Sequence, residues 1–195
     1  MDIVAWIGEH RMAFVILHAI GFEIGAGAAT LSYIFVMRAL KDFRITRAES
    51  ATLAVFSKVI WCALALILAS GIMLYLPAAG RLDASTKFHA KLVIVAIVIL
   101  NGLILHFRIG PHLHEIAFAR IGKERAARAR FRMLAFACGG VSLVSWYSAT
   151  ILGLYRSLPY ATWQILAAYA ALAVFTVSGA IGFELLLERL ARRSR

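Results

Sequence analysis

Five stretches of this chain, about 13–37, 53–77, 89–107, 132–155 and 161–186, are apolar for about the length a helix needs to span the hydrocarbon of a bilayer, ~20 residues. Within hydrocarbon every backbone N–H and C=O must find a partner inside the chain, so runs of this length fold as helices. The sequence therefore predicts an all-α integral membrane bundle of five transmembrane helices, one transmembrane domain over residues 1–195. The composition agrees. Of 195 residues, 62% are hydrophobic, where a soluble domain has roughly 45–50%.

The formal charge of +11 would point to nucleic acid in a soluble protein. Here the placement of the charges explains it better, and no nucleic-acid partner is expected. Arg38, Lys41, Arg44 and Arg47 follow span one; Arg108, Arg120, Lys123, Arg125, Arg128, Arg130 and Arg132 surround the third connection; Arg189, Arg192, Arg193 and Arg195 close the chain. In a five-span protein these regions share one side, while the other has only Arg11, Arg81, Lys87 and Arg156 near span ends. The positive-inside rule then puts the N-terminus outside and the C-terminus in the cytoplasm, in a multi-pass protein of the cytoplasmic membrane. In span one the basic residues follow the apolar run, so it reads as a retained span and not as a cleaved signal. Cys62 and Cys138 stand alone in spans two and four and read as small hydrophobes.

Span one carries an imidazole and a carboxyl, His18 and Glu23, inside its apolar run. Ionisable groups there cost at least ~2.5 kcal/mol each, which makes them functional candidates. His18 reads either as a hydrogen-bonding link between helices or as an axial ligand. Glu23, five residues on, is turned well off the His18 face; it reads either as a protonated carboxyl bonded to a neighbour or as a proton carrier beside a redox centre. Gly21 and Gly25 make a G-x-x-x-G face suited to close helix packing, to the flat face of a macrocycle, or to oligomerisation.

Span three opens with Lys87-Phe88-His89-Ala90-Lys91-Leu92 and ends near His106. His89 and His106 are 17 residues apart, which separates them by ~25 Å along a helix and excludes a shared site. His18 and His89 each lie near the start of a span running the same way, so they share one layer. His112, His114 and Glu115 have no diagnostic metal-site spacing and read as a solvated loop. Ala19-Ile20-Gly21-Phe22-Glu23 recurs as Ala180-Ile181-Gly182-Phe183-Glu184, but so biased a composition makes this weak evidence of duplication.

The Phe88-His89-Ala90-Lys91-Leu92 segment heading an apolar span, together with a His early in the first span, resembles the membrane haem-binding protoporphyrinogen oxidases. It is also similar to the transmembrane part of the copper-resistance protein D group. The resemblance covers the first three spans. It implies a helical bundle binding haem b, with His18 as an axial ligand of the iron and His89 or Lys91 as the second ligand or a nearby functional group.

The leading expectation is thus a b-type haem protein, with His18 and His89 on the iron and Arg11, Arg81 and Lys87 placed to meet the propionates by charge complementarity. It would act in electron transfer or in oxidation of a membrane-associated substrate, with a quinone or another redox protein as partner and Glu23 and Lys91 as candidate catalytic groups. The alternatives are a metal-ion permease of the copper type using His18, Glu23 and His89 along a path, and an accessory membrane subunit without cofactor. A permease needs polar groups continuing across the membrane, and few lie between Glu23 and His106.

Overall fold

The computed structural model describes residues 2–39, 46–115 and 123–193. Among these residues the chain is helical almost throughout and contains no strand: α1 (Ile3–Glu9), α2 (Arg11–Ala39), α3 (Arg47–Tyr75), α4 (Ala79–Asp83), α5 (Thr86–Ile104), α6 (Lys123–Leu154) and α7 (Thr162–Arg193). The five long helices α2, α3, α5, α6 and α7 are each long and apolar enough to cross a membrane. The all-α, five-span bundle expected from the sequence is what forms.

Local chemistry sets the helix ends. The Thr46 hydroxyl accepts from the Glu49 amide at 3.2 Å while the Glu49 carboxylate accepts from the Thr46 amide at 2.7 Å, a reciprocal capping box. It starts α3 at Arg47, about six residues before the apolar run that begins near 53. Pro77 ends α3 through a short 3-10 turn over Leu76–Ala78. The Ser85 hydroxyl accepts from the Phe88 amide at 3.3 Å and starts α5. Beyond Ile104 that helix widens into a π turn, Leu105–Ile109.

Side-chain contacts show that successive spans alternate in direction. At the amino-terminal end of the bundle, Tyr75 stacks on Phe88 with centroids 5.8 Å apart. There the Thr86 hydroxyl donates to the Tyr160 carbonyl at 3.0 Å, and Thr162 donates back to the Thr86 carbonyl at 3.1 Å. At the opposite end, Ser57 of α3 meets His106 and Phe131 of α6 meets His112. α1 lies across the amino-terminal end with Ile7 tucked beneath it, only 2% exposed.

The core lies between α2, α3, α5 and α6, around Phe22, Ile67, Ile94 and Trp146. Gly21 and Gly25 are the reason these helices come so close. A Cβ on residue 21 would stand 2.7 Å from the Ile67 side chain, and one on residue 25 would overlap the Trp146 indole. The glycine face is therefore filled from within the chain by α3 and α6. This corrects two expectations for it, the macrocycle and the oligomer contact through Gly21 and Gly25, because Ile67 and Trp146 occupy that space. Polar groups in the core are satisfied, as hydrocarbon demands: Asn101 donates to the Cys138 carbonyl at 2.9 Å, and Ser145 and Tyr169 share a hydrogen bond of 2.8 Å between α6 and α7.

Candidate functional site

His18 lies seven residues into α2 from Arg11, about 10 Å below the amino-terminal end of the bundle. Its ring is half-buried against α3. Nδ1 is 3.0 Å from the Ile67 carbonyl and 3.0 Å from the Ser70 hydroxyl. Ser70 Oγ in turn donates to the Leu66 carbonyl at 2.6 Å. A carbonyl can only accept, so the proton sits on Nδ1 and the lone pair is left on Nε2.

Nε2 faces the Lys91 amine of α5 at 3.4 Å. Lys91 sits over the face of Phe22, 4.5 Å from its centroid, a cation–π contact in a weakly polar setting. Phe22 meets the His18 ring edge-on at 5.1 Å and the Trp146 ring edge-on at 6.0 Å. Two glycines leave clearance around the paired nitrogens. A Cβ at Gly71 would come to 3.2 Å of His18 Cε1, and one at Gly153 to 3.6 Å of Lys91 Nζ. Four helices thus converge: α2 supplies His18 and Phe22, α3 Ile67, Ser70 and Gly71, α5 Lys91, and α6 Gly153 and Trp146.

Of the residues singled out in the sequence, the structure brings His18 and Lys91 together. His89 stands two residues before Lys91, which is ~200° around the helix; it is exposed and its ring neighbour is Phe88, at 6.3 Å. The partner in the His18 layer is Lys91, and His89 looks away from it. Glu23 is exposed on the outer surface of α2. Lys87 lies one turn above Lys91, where its amine donates to the carbonyls of Tyr155 and Arg156. Arg11 and Arg81 are exposed at the same end of the bundle. His106 belongs to the opposite end, 3.3 Å from the Ser57 hydroxyl and edge-on to Trp61 at 6.2 Å. The side chains of His114, Glu115 and Glu184 lie outside the described residues.

Sequence reasoning missed Ser70, the Ile67 carbonyl and the two flanking glycines. The signal was available in Ser70-Gly71, a polar and small pair in an apolar span, five residues before the helix end at Tyr75 and so at the depth of His18.

The fold defines a multi-pass helical membrane protein, and among the described residues a polar cluster converges near the amino-terminal end of its bundle. The chain matches no protein-family model, no curated protein and no solved structure.

Proposed function

We infer that this chain is a b-type haem protein of the cytoplasmic membrane, with its N-terminus outside, acting in electron transfer or in oxidation of a membrane-associated substrate. The observation that carries the reading is the state of His18. Its Nδ1–H is held by a backbone carbonyl and a serine, the arrangement that fixes a liganding imidazole and raises its basicity, and its Nε2 lone pair points at a second nitrogen from a facing helix. The donor set fits a haem iron in kind, because the macrocycle supplies the equatorial nitrogens and the protein need offer only one or two axial ones.

A bare ion requires more. Among the described residues no three His, Cys, Asp or Glu side chains come together. His18 would hold the iron through Nε2, and Lys91 would supply the second nitrogen or a cation beside it. Lys87, Arg11 and Arg81 are at the end of the bundle where propionates would emerge, and a quinone or a redox protein is the expected partner. Bound haem would supply one-electron chemistry; the residues of this chain would orient it, with Phe22 and Trp146 keeping water away and Nδ1 of His18 holding its proton. The test is the absorption spectrum of the protein purified after expression with haem supplied. A Soret band stoichiometric with protein is expected, and its absence from folded protein would overturn the reading. Its orientation is checked by labelling single cysteines introduced at Asp2 and Ser194, expected to react from opposite sides.

A further inference from the structure

Glu23 poses a problem that the chain does not solve by itself. It lies 12 residues from Arg11 and 15 from Arg38 at the two ends of the span, about 18 and 23 Å along the axis, near the middle of the hydrocarbon. Its side chain is on the exposed surface of α2, and among the described residues it has no hydrogen bond or ion pair. A carboxyl at that depth normally faces a bundle interior or a partner. One turn to either side on the same face stand Ala19 and Gly27, both exposed; a Cβ added at Gly27 would meet nothing within 4 Å. This face is distinct from the Gly21/Gly25 face, since two residues turn a helix by ~200°.

We propose that the Ala19–Glu23–Gly27 face of α2 is the surface along which a second copy of this chain packs, with the two Glu23 carboxyls paired at the midplane. Every copy enters the membrane in the same orientation, so a two-fold axis along the membrane normal brings Glu23 opposite its own equivalent at equal depth. Protonated, each carboxyl donates one O–H to the carbonyl oxygen of the other. Both groups are then satisfied with no net charge. Ala19 and Gly27 let the two backbones approach closely enough for short carboxyl side chains to meet. A partner of another kind would have to present a polar group at the same depth, whereas a second copy does so by symmetry. The proposal does not rest on haem.

The test uses the full chain in native membranes, with Cys62 and Cys138 replaced by alanine and Ala19→Cys introduced, oxidised with copper phenanthroline. A disulfide-linked species of twice the chain mass is expected. It should persist with Glu23→Gln, whose carboxamides pair in the same way, and fall about tenfold with Glu23→Leu, the loss of two interhelical hydrogen bonds. Val174→Cys, on the exposed surface of α7, should give none. Absence of the dimer, a dimer unaffected by Glu23→Leu, equal cross-linking at Val174→Cys, or an adduct of a different mass would each overturn the proposal.

Discussion

Two histidines of this chain each meet a serine of the same helix, with different results. His18 pairs with Ser70 near one end of α3, and His106 with Ser57 near the other. The serines are 13 residues apart, so the two pairs lie ~20 Å apart along the axis. At the first, a backbone carbonyl fixes the tautomer, Gly71 clears the ring and a lysine faces the other ring nitrogen. At the second, the ring is exposed, its contact is longer at 3.3 Å, and its other neighbours are the aromatic Trp61 and Phe107. A histidine and a serine do not make a site. What sets the first pair apart is that the remaining nitrogen is aimed at a lysine amine on a facing helix.

The largest effect that separates the two pairs is expected from His18→Ala. If the chain binds haem as proposed, this change should remove most of it from protein that still folds, as read by the Soret absorbance per chain, because the bond through Nε2 is lost. Retention of full haem in this variant together with its loss in His106→Ala would exchange the roles of the two ends. Next comes Lys91→Met, whose unbranched side chain is one atom shorter and carries no charge. Haem content should fall less than in His18→Ala, while the Soret maximum moves because the group facing Nε2 has changed; an unaltered spectrum would take Lys91 out of the site.

Smaller effects follow from the supporting groups. Ser70→Ala leaves Nδ1 bonded to the Ile67 carbonyl, so it should retain haem and lose only about 0.6 kcal/mol of stability, the mean for a hydrogen bond between membrane helices. Thermal unfolding in detergent measures this, and a wholesale loss of haem would show that Ser70, and not the carbonyl, fixes the ring. The smallest effect is expected from His106→Ala, whose absorption spectrum should overlay that of the unsubstituted protein.

The architecture was legible because the bilayer imposes a length and a composition on anything that crosses it. The helix ends were less so: the Thr46–Glu49 capping box lies outside the apolar run, and a reading by hydropathy alone starts α3 too late. In the site, His18 and Lys91 were both singled out, yet His89 was set opposite His18. The residue of α5 that lies against His18 is Lys91, two positions further on. Depth follows from counting residues, whereas the face that α5 turns inward is decided by which of its residues pack, here Ala90, Ile94 and Val98, all buried. For Gly21 and Gly25 the close-packing pattern was evident, but the identity of the partners depended on Ile67 and Trp146 arriving from helices far away in sequence.

Among the described residues α7 contributes no side chain to the His18 cluster, whose last member in chain order is Gly153. In the order of synthesis, every residue of the cluster has been made before the first residue of α7 is added. The final helix then joins through the Thr86 and Thr162 exchange at the rim and the Ser145–Tyr169 bond within. The polar cluster can thus assemble as a product of the first four spans, with the fifth acting as a late brace on a site already built.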